Sequence, residues 1–329
     1  MAYSKEELMK MYECMARGRI FALKMAEQVF AGNIGISFHS PLGEEATGVG
    51  IMSAMRDTDW FIPHHRSQNA SLMRFDLYEY LCEFLCRKGG IGGGTTFDSH
   101  LSDHDLHVAL PIAILGADYP VATGFAWALK FQGKDEVVVV EHGDGASNEG
   151  ATYEAWNLAA LYKVPCVYVI TNNGWGMSVP LERHTANPNM SERAVPLGLS
   201  NQIVDGNDVL AVRKAMETAL EKARRFEPNV VELKTVRGSD HFVGQRAYER
   251  SDWQALENAK VDNCPIKRYR DYLVGNGVST SEELDKIYNE VEADFMKALE
   301  RALASPKPGF DDVFNKKFVY TNVETGGDL

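Results

Sequence analysis

The feature that most constrains this 329-residue chain is a pair of short β-branched runs, Val137 to Glu141 and Pro165 to Thr171, separated by one helix-length segment. Apolar runs without polar alternation belong to strands buried on both faces, the situation of parallel sheets covered by helices. A strand, a helix from about Glu149 to Tyr162 and a second strand make one right-handed crossover unit. The rhythm continues with a short strand near Ile203–Val204, a helix from about Asp208 to Phe226 and a strand from Asn229 to Val236. The expected fold class is α/β, a mostly parallel twisted sheet with helices on both faces. All strand C-termini then share one edge, where open sheets of this kind bind ligands.

Helical additions are expected at both ends. Ser4 and Glu7 form a capping-box pattern opening a helix to about Phe30, and further helices are expected from Pro41 through Met55 and from about Leu77 to Arg87. Thr280 and Glu283 open another, whose Leu284, Ile287, Val291, Phe295, Leu299 and Leu303 form one apolar stripe. The chain reads as one domain over residues 1–329, with a helical extension at about 250–305 and an irregular tail after about 306. The connection from Gly89 to Pro111 is long, Gly-rich and polar, a type that is usually functional.

Charge and composition narrow the function classes. A net charge of -12 without a basic stripe argues against binding nucleic acid or an anionic membrane by bulk electrostatics. No apolar run approaches the roughly 20 residues of a membrane span, and the charged N-terminus does not read as a secretory signal. Five scattered cysteines, Cys14, Cys82, Cys86, Cys166 and Cys264, read as reduced thiols of a cytoplasmic protein.

The chemistry concentrates at the two strand ends. Asp144 lies between Gly143 and Gly145 just past the first strand, and 26 residues separate Gly145 from the Asn172-Asn173 pair that ends the second. Glycine permits positive φ or close backbone approach, and a turn feeding a helix N-terminus offers N–H groups to phosphate. A carboxylate there is repulsive unless a cation intervenes, so Asp144 makes sense as a ligand of a hard divalent ion such as Mg²⁺. An amide oxygen at the next strand end and a following carbonyl are further oxygen ligands. Either feature alone would be an ordinary turn; crossover spacing joins them. His100, His104 and His107 would form a metal cluster only on a helix, and their surroundings argue for a polar loop. His64-His65 reads either as a surface pair or, beside Arg66, as part of a site.

Gly143-Asp144-Gly145 followed by Asn172-Asn173 resembles the diphosphate–metal motif of thiamine diphosphate enzymes. The wider stretch "GDGASNEGATYEAWNLAALYKVPCVYVITNNGWGM" resembles the alpha subunit of the decarboxylating component of 2-oxoacid and acetoin dehydrogenases. Outlying matches are "GEEATGVG" from Gly43, "HHR" ending at Arg66, "ILGADYPVATGFAWALK" from Ile114 and "LKTVRGSDH" from Leu233. The resemblance implies a thiamine diphosphate-binding fold in which Asp144, Asn173 and the Trp175 carbonyl hold Mg²⁺. It implies further that the Gly143-Asp144-Gly145-Ala146 turn meets the diphosphate through the Gly145 and Ala146 amides, with Arg66 pairing to it. Leu115 would sit against the cofactor rings, while His65 and His241 would stand near diphosphate and substrate as catalytic candidates. In this family a separate beta subunit supplies the activating glutamate, which implies a two-alpha, two-beta heterotetramer with the cofactor between subunits.

Departures from the family pattern lie at Gln68-Asn69, where a His-Gly is common, at "FVGQRAYER" after His241, and in the Gly-rich run before Ser99. They are expected to cluster on the substrate side. The resemblance implies a 2-oxoacid or acyloin substrate and a lipoyl acyltransferase as acceptor. The departures keep open a split transketolase-like or carboligase enzyme, which would pass the fragment to an aldehyde.

Overall fold

The computed structural model describes residues 3–35, 37–97, 100–109, 111–245 and 263–314. Its centre is a five-stranded sheet in which every neighbouring pair is parallel. The strands are β1 (Trp60–Ile62), β2 (Val138–Gly143), β3 (Cys166–Asn172), β6 (Ser200–Asp205) and β7 (Asn229–Lys234), in the order β1-β2-β3-β7-β6. Between β3 and β6 the short strands β4 (Trp175–Gly176) and β5 (Val179–Pro180) form an antiparallel hairpin.

Period-two geometry sorts the β-branched runs onto two faces. Val137, Val139, Val167, Val169, Val231 and Leu233 pack with Ile51 and Met52 of α2 (Glu45–Ala54) and with Val212 and Met216 of α8 (Val209–Arg224). Val138, Val140, Tyr168, Ile170 and Val230 pack on the other side with Ala122 and Ala126 of α5 (Asp118–Phe131) and with Trp156 and Ala159 of α6 (Gly150–Tyr162). β2, β3 and β7 are mostly apolar and buried because neither of their faces meets water, whereas β6, at the sheet edge, is polar and partly exposed.

The helical additions have their own core. α1 (Lys5–Phe30), α4 (Leu77–Phe84) and α10 (Ser281–Ala304) meet around Phe21, Phe38, Phe84 and Phe295. Phe21 meets Phe84 and Phe295 edge-to-face, with ring centroids 5.1 and 6.3 Å apart. The remaining helix, α9 (Pro265–Gly275), buries Tyr269 and Leu273 against Leu8, Met15 and Val49.

Local signals were accurate where a cap or stripe set them. Ser4 and Glu7 make both hydrogen bonds of the capping box, and Thr280 caps α10, whose Leu284, Phe295 and Leu299 are buried within the same chain. Two expected helix ends are corrected. α2 begins at Glu45, because Pro41 to Glu44 form a turn in which Gly43 (φ +90) passes so near Val236 that a Cβ would lie 2.7 Å from its carbonyl. α4 stops at Phe84, since Cys86 takes positive φ and Arg87 N–H turns back to the Cys82 carbonyl. The Gly-rich connection folds on buried Glu83, which accepts from Gly94 N–H at 2.9 Å and from Thr96 Oγ1 at 3.0 Å. Residues 246–262 and 315–329 of the expected C-terminal extension and tail lie outside the described residues. Among the described residues no helix is long and apolar enough to cross a membrane.

Phe295 is fully buried and joins α10 to α1, so Phe295→Ala should lower the unfolding free energy by about 3–5 kcal/mol. Equilibrium denaturation in urea checks this.

Candidate functional site

Four parallel strands release their loops at one edge of the sheet. β1 leads into His64, His65 and Arg66, β2 into Asp144, and β3 into Asn173 and the hairpin; β7 is followed by Arg237 and His241. These loops enclose a cavity of about 440 Å³, within the range of small-molecule sites. Each of His65, Arg66, Leu115, Gly143, Asp144, Gly145, Ala146, Asn173, Trp175 and His241 lines it. So does His64, the other half of the His64-His65 pair, and so do His39, Met177 and Arg237, which the sequence had not singled out as site residues.

The loop after β1 is held from beneath by Glu141, a buried carboxylate on β2. It accepts from Ser67 Oγ at 2.6 Å and Thr171 Oγ1 at 2.5 Å, and His64 Nε2 lies 3.4 Å away. Burial works to raise its pKa, but His64 and these donors prevail and hold it below the usual range. His64 and His65 both line the cavity and do not form a pair on the open surface. Arg66, 3% exposed, donates to the carbonyls of Ser40 at 2.8 Å and His241 at 2.9 Å. Burial pushes the guanidinium pKa down, against the opposite pull of the Glu44 and Asp144 carboxylates.

The turn after β2 follows the expected placement but not the expected reason. Gly145 has φ -59, an ordinary helical value. What favours a small residue is a close approach, because a Cβ there would lie 3.3 Å from the Gly176 Cα of the hairpin, a tight contact. A 3₁₀ turn, Ala146–Asn148, intervenes before α6, so the Gly145 and Ala146 N–H groups open that turn and not the α-helix. N–H groups at a helix start have no partner inside it. Asp144 is 2% exposed, and its Oδ2 is buried without a hydrogen-bond partner among the described residues.

The two amides part company. Asn172, the last residue of β3, donates to Glu232 Oε1 at 2.7 Å and lies outside the cavity lining. Asn173 lines the cavity; its Nδ2 donates to Glu44 Oε1 at 2.9 Å, and its Oδ1 accepts from Trp175 N–H at 3.3 Å. Burial raises the pKa of Glu44.

On the opposite wall the ligand-capable nitrogens of His39, His65 and His241 lie within 4.8 Å of one another. Burial first, then Arg66, lowers His39 and His241 to about 3. Burial, with His64 and the Arg66 cation beside it, holds His65 well below its ordinary value too. All three are neutral at pH 7, each with one N–H and one lone pair. By contrast His104 and His107 sit in a loop against Trp60, as their surroundings led one to expect.

One expectation about the departures is corrected. Gln68 and Asn69, in the one-turn helix α3 (Gln68–Ser71), are both buried and do not line the cavity; Asn69 packs against Gly18 and Gly48, and Gln68 Nε2 donates to the His65 carbonyl at 2.8 Å. Residues 246–250 of the stretch after His241 lie outside the described residues.

Residues 12–311 match the family model described as dehydrogenase E1 component. The chain is 33% identical over 317 residues to the alpha subunit of acetoin:2,6-dichlorophenolindophenol oxidoreductase from Cupriavidus necator, covering 96% of this chain and 95% of the relative. It is 30% identical to the pyruvate dehydrogenase E1 component subunit alpha of Rhizobium meliloti, over 95% of this chain and 90% of that one. Its identity to the somatic mitochondrial form of the pyruvate dehydrogenase E1 alpha subunit of Homo sapiens is 32%, over 94% and 79% of the two chains.

The imidazoles carry a pH consequence. Unfolded, His39 takes up a proton near the ordinary histidine value of 6.5, but folded only near about 3, so acidification across that window favours the unfolded chain. Thermal midpoints should fall between pH 7 and pH 4, and His39→Gln should fall less steeply in a calorimetric pH series.

Proposed function

The chain belongs to the dehydrogenase E1 component family, and from that premise we propose that it is the alpha subunit of a thiamine diphosphate- and Mg²⁺-dependent enzyme. Its substrate is a 2-oxoacid or acyloin, which it cleaves before passing the acyl group to a lipoyl acceptor. The observation that carries the reading is the unpartnered, buried Oδ2 of Asp144, a residue lining a cavity whose other polar wall is the buried Arg66 guanidinium. A bare buried carboxylate oxygen is costly unless something cationic meets it, and a buried guanidinium is matched by a diphosphate.

The donor set fits that pair. Asp144, Asn173 and the Trp175 carbonyl are hard oxygen ligands suited to Mg²⁺, while Arg66 and the first N–H groups of the 3₁₀ turn suit the diphosphate. Thiamine diphosphate, when bound, supplies the carbon centre that adds to a carbonyl and stores the electron pair left by bond cleavage. This chain's residues bind and orient. Leu115, 54% exposed, offers an apolar surface to the cofactor rings. His65 and His241, neutral at pH 7, can donate an N–H to the substrate or accept a proton from it.

A second subunit completes the site. Ile114, Leu115, Met177 and Val179 stand exposed at or beside the cavity, and clustered exposed apolar side chains mark interaction surfaces. The partner that fits is a beta subunit carrying the activating glutamate, in a two-alpha, two-beta heterotetramer. Transfer to an aldehyde, the carboligase reading, drew part of its case from Gln68-Asn69, which lie off the cavity.

Product analysis of the co-expressed alpha–beta complex tests the reaction. A 2-oxoacid or acetoin with an artificial electron acceptor should yield the oxidised acyl product; carboligation on adding an aldehyde, without oxidation, would sink the dehydrogenase assignment. Asp144→Ala should abolish Mg²⁺-dependent binding of thiamine diphosphate by calorimetry, and tight binding by that variant would refute the cation site.

A further inference from the structure

Resting on the reading that Asp144 holds the cation, we propose that His184 is the residue that positions its carboxylate. His184 ends the one-turn helix α7 (Leu181–His184), directly after the β4–β5 hairpin. Its Nε2 lies 3.4 Å from Asp144 Oδ2. Both atoms are buried, and neither has another hydrogen-bond partner among the described residues. Two orphaned polar atoms facing each other at that distance are poised to pair after a shift of a few tenths of an ångström.

The surroundings decide which of them carries the proton. Arg193 Nη1 donates to Asn148 Oδ1 at 2.9 Å and to the Tyr153 hydroxyl at 2.9 Å. That contact fixes the Asn148 amide, whose Nδ2 must then be the donor to His184 Nδ1, 3.0 Å away. An imidazole accepting at Nδ1 keeps its proton on Nε2, the nitrogen that faces Asp144. The sequence Arg193, Asn148, His184, Asp144 is thus a run of donors aimed one way, ending on the carboxylate. It leaves Oδ1 and the second lone pair of Oδ2 to a cation.

The connectivity gives the arrangement its use. One segment leaves the cavity wall with Asn173 and Trp175, turns through the hairpin and comes back with His184. Leu181 N–H donates to the Gly174 carbonyl at 2.9 Å, closing the base of that excursion, and Gly176 packs on Gly145 along its length. The segment that offers two oxygen ligands therefore also orients the third, which belongs to the other strand end. Groups that orient a ligand this way commonly contribute about 10- to 100-fold in metal affinity.

The test uses the full chain in complex with its beta subunit, with thiamine diphosphate present and Mn²⁺ as the probe, free ion being read by electron paramagnetic resonance. His184→Ala should weaken Mn²⁺ about 10- to 100-fold, leave the thermal midpoint of the cofactor-free complex unchanged, and bind cofactor normally once Mn²⁺ saturates. His184→Gln, whose amide can still donate to Asp144, should recover much of the affinity. Asn148→Ala, which releases the tautomer, should show an intermediate loss and decides the matter if His184→Ala does not fold. Asp144→Ala separates the two readings. Mn²⁺ binding that survives Asp144→Ala ends the cation-site assignment itself. Loss in Asp144→Ala with His184→Ala and Asn148→Ala both within about two-fold of wild type overturns the positioning role alone.

Discussion

A guanidinium buried at 3% exposure constrains everything around it. Arg66 cannot shed its proton to escape burial, so the fold must bring it dipoles and countercharge. Its hydrogen bonds go to the carbonyls of Ser40 and His241, which draws the segment before α2 and the segment after β7 onto the loop after β1. The carboxylates of Glu44 and Asp144 oppose the cost of its burial. The same charge helps keep the neighbouring imidazoles of His39 and His241 neutral. The buried cation and the neutral imidazoles thus meet on one side of the cavity, and the charge of the first helps keep the second neutral.

Around this cation the site is prepared from both sides. On the inside, His142 stacks on Tyr119 with ring centroids 3.5 Å apart, and its ring nitrogens lie 3.4 Å from Asp118 Oδ1 and 3.2 Å from Ser147 Oγ. The order Asp, His, Ser invites comparison with a hydrolytic triad, but Ser147 is wholly buried and no substrate can reach its Oγ. Its hydroxyl instead donates to the Gly143 carbonyl at 3.2 Å, bracing the turn that presents Asp144. Groups fixed before the ligand arrives need not be reorganised during reaction. The outer wall is different, with apolar side chains left exposed for a neighbour to cover.

Much of the site was legible because its signals are local or set by spacing. Gly143-Asp144-Gly145 and Asn173 fall at strand ends whose separation is one crossover, and parallel register then sets them side by side, with Gly143 opposite Thr171. Hidden from that reasoning were His39 and Arg237, each brought in from a distant segment, and the role of Glu141, which lies on β2 itself but takes its partners Ser67 and Thr171 from other segments. β1 escaped notice for a related reason: three residues make no periodic signal, and only pairing with β2 defines them as a strand.

The chain's own order of apolar and polar residues determined the class of fold, the capped helices, and the strand ends at which an acid and an amide could meet. Those are consequences of period, capping and crossover length, all readable within some tens of residues. Tertiary structure decided the rest. Asn172 and Asn173 are adjacent and chemically identical, yet the first turns to Glu232 and the second lines the cavity. Gly145 is favoured by the nearness of Gly176 and not by its own backbone angle. Gln68 and Asn69 look like substrate-side changes in sequence, but packing buries both off the cavity, Asn69 against Gly18 and Gly48. In each case the deciding contact comes from a part of the chain that lies apart in sequence. No local pattern encodes which neighbour that will be.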